Sequence, residues 1–184
     1  MPAPTRRHRL VGPAVALAIL GLTAGAVAAS GASHASARIV DGTNQTIGWA
    51  RFTEDAAGRL HLNVKVAGLT PGLHGIHIHA AGVCEGPAFL SALAHHNPLG
   101  AAHGLIDPPA GAHAGDLPNL VVNGAGRGHL NATSDRATLS VGQLAVLDGN
   151  GSAIVIHALE DDQKADSPTG NRGARVACGV IVAE

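Results

Sequence analysis

The sequence predicts an all-β domain, a sandwich or Greek-key barrel that carries two large loops. Three observations lead there. Residues 59–66 read Arg-Leu-His-Leu-Asn-Val-Lys-Val, the alternation of a half-buried antiparallel strand with Leu60, Leu62, Val64 and Val66 inside. The 184 residues include 25 Gly and 10 Pro, the punctuation of many turns between short elements. No long stretch has the apolar spacing of an amphipathic helix.

The first segment is set apart from the fold. Residues 1–37 read as a cleavable export signal peptide. A basic start (Arg6, Arg7, Arg9) precedes an apolar run over 10–29, and small-residue cleavage patterns follow at Ala26-Val27-Ala28 and Ala35-Ser36-Ala37. Residues 5–10 partly match a twin-arginine signal, with Arg9 where an apolar residue is usual, so Sec and twin-arginine export both stay open. The run is long enough to span a bilayer, but its Gly, Ala, Thr and Pro make a weak anchor. No Cys follows it, which argues against a lipid-modified N-terminus.

The remainder, residues 38–184, reads as one domain with no repeat and no internal linker. Residues 38–54 supply one or two strands and 59–66 another. The Gly68-Leu69-Thr70-Pro71-Gly72 turn leads to an extended stretch at 73–79. Asn123-Gly124 and Asp148-Gly149-Asn150-Gly151 mark turns, and 153–157 and 175–182 read as strands. The segments 80–118 and 158–174 are too long and polar for hairpin turns, and loops of that length in a compact domain are usually functional.

Composition narrows the function. The full chain has a formal net charge of -1. Without residues 1–37 it keeps 9 cations and all 13 acids, a balance of −4. Nothing favours nucleic acid as a partner. Aromatics are 2% (Trp49, Phe52, Phe89), too few for base-stacking platforms or sugar clamps. Histidine, at 12, equals Lys and Arg together, and metal is the first explanation to test. Cys84 and Cys178 are an even pair in an exported chain, which suggests one disulfide, two buried thiols being the alternative.

His77-Ile78-His79 places two imidazoles on one face of a strand while Ile76 and Ile78 face the other way. Alone that pattern is weak at this His content. His95-His96-Asn97-Pro98, His103-Gly104 and His113-Ala114-Gly115-Asp116 follow in the first loop, and imidazoles with a carboxylate suit zinc. A strand ending in His157 is followed by Glu160-Asp161-Asp162, and the chain closes with 170–181, Gly-Asn-Arg-Gly-Ala-Arg-Val-Ala-Cys-Gly-Val-Ile.

With these motifs in this order, the chain resembles the copper/zinc superoxide dismutases, specifically the secreted bacterial kind. The resemblance spans about 38–184 and rests on 72–79, 94–98, 113–117 and 170–181. It implies an eight-stranded Greek-key barrel and the conversion of superoxide to O2 and hydrogen peroxide. His77, His79, His95 and His157 match the copper ligands. His95, His103, His113 and Asp116 match the zinc ligands, so His95 would bridge a redox copper and a structural zinc and shuttle a proton. Asp161 matches the carboxylate linking a copper ligand to a zinc ligand, and Arg175 the arginine that attracts and orients the anionic substrate. Cys84 and Cys178 match the family's disulfide, and His74 a structural histidine bonded across the barrel. The implied location is the secreted, periplasmic or cell-wall space of a bacterium, where the enzyme would protect against oxidative damage. The implied partner is superoxide, with no nucleic acid and no membrane after signal cleavage. Monomer and homodimer both remain open.

The chain departs from the family in places. His96 stands where an aromatic is common and reads as a spectator. The 158–174 loop is short and lacks the lysine-rich pattern of animal enzymes; Lys164 and Arg172 are its basic residues, and Thr169 keeps a polar position near the channel. A non-catalytic metal binder would tolerate loss of His95 or Arg175, and a cell-wall adhesin would need no linked ligand set. Both residues and the set are present.

Overall fold

The computed structural model describes residues 1, 33–106, 111–140 and 142–184. The strands are β1 (His34–Asp41), β2 (Thr46–Glu54), β3 (Leu60–Ala67), β4 (Gly72–His74), β5 (Ile76–His79), β6 (Leu120–Val122), β7 (Arg127–Ser134), β8 (Ala153–His157), β9 (Arg175–Val180) and β10 (Val182–Ala183). They pair antiparallel in the order β4-β6-β7-β3-β2-β1-β9-β8-β5, with β10 on β1. The two ends of that path, β4 and β5, are successive in the chain and separated only by Gly75. The sheet therefore nearly closes into a barrel, which leaves few free strand edges. Taking β4/β5 and β9/β10 each as one interrupted strand gives the expected eight. A 3₁₀ turn at Leu90–Ala92 is the helical element among the described residues.

Gly75 makes the interruption possible. Its N–H donates to the Leu159 carbonyl at 2.8 Å and its carbonyl accepts from His157 N–H at 2.8 Å. A Cβ there would stand 3.0 Å from Arg172 Cβ and 3.2 Å from Asp161 Cβ. Any side chain there would push these neighbours back by a few tenths of an ångström, so glycine suits the close approach of the 158–174 loop to the barrel.

The interior follows the alternation. Ala35, Ala37 and Ile39 of β1, Ala50 and Phe52 of β2, and Leu60, Leu62, Val64 and Val66 of β3 are buried in one cluster with Ile76, Ile78, Ile154 and Ile156. A second cluster of Val40, Phe89, Ala92, Ala153, Val155 and Cys178 lies beneath the first loop, with Cys84 packed against it. Cys84 and Cys178 form a disulfide.

One sequence expectation changes. β6 and β7 form a hairpin around the Asn123-Gly124 turn, where no strand was expected. β7 alternates in burial, but its inward positions are Gly128, Leu130, half-buried Ala132 and Ser134, so its apolar signal is faint. The predicted boundary after residue 37 falls inside a strand, because β1 begins at His34 with Ala35 and Ala37 fully packed. The expected leader residues 2–32 lie outside the described residues.

Phe52 is among the largest fully buried side chains. Phe52→Ala is expected to lower the unfolding free energy by about 3–5 kcal/mol, and Leu99→Ala, on an exposed side chain, by less than about 0.5 kcal/mol. Urea unfolding followed by far-UV circular dichroism measures both.

Candidate metal centre

β5 has the sequence Ile-His-Ile-His and is buried on both faces. Ile76 and Ile78 enter the core, so His77 and His79 share the opposite face, under the loops. On β8, Val155 pairs with His77, and His157, two residues on, falls on the same face. A register shift between Ile156 and His157 sets His157 opposite Arg175 on β9.

The first loop is laid along the same strand. Ile78 N–H donates to the Gly115 carbonyl and His96 N–H donates to the Ile78 carbonyl, each at 2.9 Å. Bridges pair His79 with His95 and His77 with Asp116. Residues far apart in sequence thereby meet across one backbone unit.

Two donor sets result, and they share His95. The ligand atoms of His77, His79, His95 and His157 lie within 4.8 Å of one another, as do those of His95, His103, His113 and Asp116. All seven side chains are buried. In the first set, His77 Nδ1, His79 Nε2 and His95 Nε2 have no hydrogen-bond partner. Orphaned buried nitrogens are costly, and three gathered in one place fit a metal that prefers imidazole, such as copper. Their other ring nitrogens are held: His77 Nε2 by Asp161, His79 Nδ1 by the Leu93 carbonyl at 2.8 Å, and His95 Nδ1 by Asp116 at 3.0 Å.

In the second set, Asp116 Oδ1 lies 3.0 Å from His95 Nδ1, 3.1 Å from His103 Nδ1 and 3.3 Å from His113 Nδ1. His95 Nδ1 and His113 Nδ1 are 3.1 Å apart. Donors bound tetrahedrally to zinc at 2.0–2.1 Å stand about 3.3 Å from one another, so these separations are close to the edges of such a tetrahedron.

The electrostatics suit a cation in each set. Burial pushes His77 below the ordinary imidazole range, and likewise His79 to about 2 and His95 to about 3. His157 is lowered by burial and then by the Arg172 charge. His103 goes the other way: burial opposes its charge, but hydrogen bonds to Asp116 and Asp161 hold it up at about 9. A positive charge between those carboxylates is what zinc would supply. Burial would raise both carboxyls, but His103 and its neighbouring histidines hold Asp116 and Asp161 far below the carboxylate range.

Asp161 joins the two sets, accepting from His77 Nε2 through one oxygen and from His103 Nε2 at 3.1 Å through the other. Gly170, at φ 66, is required beside it, since a Cβ there would land on the Asp161 carboxylate. Asn119, which the sequence did not single out, clamps the Asp161 backbone: its Nδ2–H donates to the Asp161 carbonyl at 2.8 Å and its Oδ1 accepts from Asp161 N–H at 2.9 Å. Arg175 donates to the Phe89 carbonyl at 2.6 Å and the Leu93 carbonyl at 2.5 Å. Arg172, noted in sequence only as a basic loop residue, is buried and donates from Nε to His157 Nε2 at 2.8 Å. The His74 ring stands 2.6 Å from the His157 carbonyl and 2.8 Å from the Thr70 carbonyl. His96 is buried with its Nε2 3.4 Å from the Leu144 carbonyl, outside both sets.

Because His77, His79, His95 and His157 are lowered, their neutral forms stabilise the fold above the unfolded imidazole value of about 6.5, and that stability is lost as pH falls below it. Asp116 and Asp161, also lowered, add a loss below about pH 4. His103, raised, contributes below about 6.5 and loses its contribution as pH rises through about 9. Calorimetry on chelator-stripped protein is expected to show Tm falling from pH 7 to pH 4 and falling also between about pH 7 and pH 9, where His103 gives up its proton. A flat acid limb would contradict the buried neutral imidazoles.

The comparisons with known proteins agree with this geometry. The copper/zinc superoxide dismutase family model matches residues 46–181. The chain is 42% identical over 150 residues to the superoxide dismutase [Cu-Zn] of Caulobacter vibrioides, covering 80% of this chain and 84% of that one. It is 39% identical over 149 residues to superoxide dismutase [Cu-Zn] 2 of Aquifex aeolicus, covering 80% and 85%. A crystal structure of a SOD-like protein from Bacillus subtilis superposes with TM-score 0.74 at 35% identity, covering 80% of this chain and 97% of the other. The chain belongs to the copper/zinc superoxide dismutase family.

Proposed function

We propose that this oxidoreductase dismutates superoxide in the extracytoplasmic space, at a copper site that His95 bridges to a structural zinc. The observation that carries the reading is the presence of His95 in both donor sets, one ring nitrogen on each side. The net reaction takes two superoxide anions and two protons to O2 and hydrogen peroxide, one electron passing from the first anion to the second. Copper would supply the one-electron exchange between Cu(II) and Cu(I), which zinc lacks.

The chain's own residues do the rest. His95 can hold a proton at Nε2 and deliver it to the reduced substrate as a general acid, while Nδ1 stays fixed beside Asp116. His77 and His103 keep their orientation through Asp161, which fixes the tautomer of each. Arg175 presents its guanidinium at the mouth, tied by two carbonyls. The surplus of acids over bases repels an anion at long range, so the local positive field must direct it inward.

The leader-like residues 6–29 and the disulfide support export. Removal through Ala37 would take half of β1, so cleavage after Ala28 fits the fold. The exported protein is expected to begin at Ala29, which intact-mass measurement checks.

Metal analysis of that form should give one copper and one zinc per chain, with dismutation lost on copper removal and restored by copper. Bound metals without dismutation would reduce the protein to a metal binder. Arg175→Ala is expected to lower the rate about 10-fold or more and to flatten its salt dependence, with copper retained. An unchanged rate and salt slope would remove the steering role.

A further inference from the structure

Arg172 is a cation placed where a second cation should bind. It is 6% exposed. Its Nε–H donates to His157 Nε2 at 2.8 Å and its Nη1–H donates to the Thr169 carbonyl. Both hydrogen-bond partners are neutral, and the charge is opposed by burial and by Arg175 and offset only at a distance by Asp161 and Asp116. The other three nitrogens of the first donor set have no partner. Arg172 thus occupies the one lone pair of that set that is already taken.

We propose that Arg172 is a displaceable plug on the first donor set: its Nε–H and copper compete for the same lone pair of His157, so copper uptake requires the guanidinium to swing outward. This rests on reading that set as the copper site. The backbone does not need to move. The Arg172 carbonyl accepts from Leu159 N–H at 2.9 Å, and the neighbouring Asn171 side chain is tied to Asp162 at 2.7 Å. Only the side chain must turn, and it has somewhere to go. A cavity of about 480 Å³ opens between Ala88, Leu90, Thr169, Asn171 and Arg175, with His157 on its wall. A divalent cation arriving at His157 would repel a guanidinium strongly in this dry setting, and the mouth offers it water. Arg172 makes no hydrogen bond to the second set, although its charge reaches His95 and Asp116 there, so the competition for a lone pair falls on copper and not on zinc.

The test uses full-length mature protein, stripped and reconstituted with zinc, then mixed with Cu(II) while the visible copper band is followed by stopped flow. Arg172→Gln is expected to take up copper about tenfold faster or more, since one charge-assisted hydrogen bond is removed, with zinc retained. A second readout needs no variant. Phenylglyoxal labelling mapped by mass spectrometry is expected to leave Arg172 protected in the zinc form and to modify it after copper loading. Uptake equal in the two proteins within about twofold, or Arg172 labelling unchanged by copper, overturns the plug while leaving the copper site standing. Copper taken up by neither protein overturns the copper-site reading and the plug together.

Discussion

The whole centre hangs on the two backbone hydrogen bonds of Ile78. Its N–H reaches Gly115 and its carbonyl receives His96, so both arms of the first loop are stitched to the outer edge of β5. His95 and Asp116 are the next residues along those arms, and His77 and His79 flank Ile78. One residue facing the core therefore fixes the relative position of four donors. Among its described residues the loop has almost no regular structure of its own, yet its buried His and Asp side chains inherit the rigidity of the barrel, which is how a precise site can be built from irregular chain.

A centre of buried imidazoles and carboxylates is a burden on the fold. The apolar interior of the barrel and the smaller cluster under the disulfide loop must offset it, and the ionic pattern shows how nearly balanced it is. In one set burial drives imidazoles toward neutrality. In the other, two carboxylates retain a proton on His103 against burial. Bound cations would relieve both at once: they occupy the orphaned nitrogens and replace the retained proton. Metal affinity and fold stability are linked through the same atoms.

Much of this was legible in the sequence. Strand period placed His77 and His79 on one face, and the order of motifs supplied the other donors; the structure brings all seven together with Asp161 beside them. What was not legible depended on contacts at a distance. β7 has Gly128 and Ser134 at inward positions, so its periodicity carries little hydrophobic contrast. Ala137, Leu139 and Val146 join the core from a segment with no strand pattern. Asn119 acts only through the backbone of Asp161, and Arg172 became visible as part of the site only when the second loop was seen folded over Gly75. Ala35-Ser36-Ala37 satisfies small-residue cleavage preferences and buried strand packing equally well, so the sequence alone does not separate the two readings.

The Leu93 carbonyl accepts from both His79 and Arg175, and Leu93 itself sits at φ 63, a conformation that most side chains resist. One peptide unit thus aims the His79 ring and the Arg175 guanidinium together. Neither can be retuned alone by altering this loop, because any shift that suits one misdirects the other. The opposite wall of the cavity, in the segment carrying Thr169 and Asn171, is free of that coupling, because its side chains make no contact with the Leu93 carbonyl.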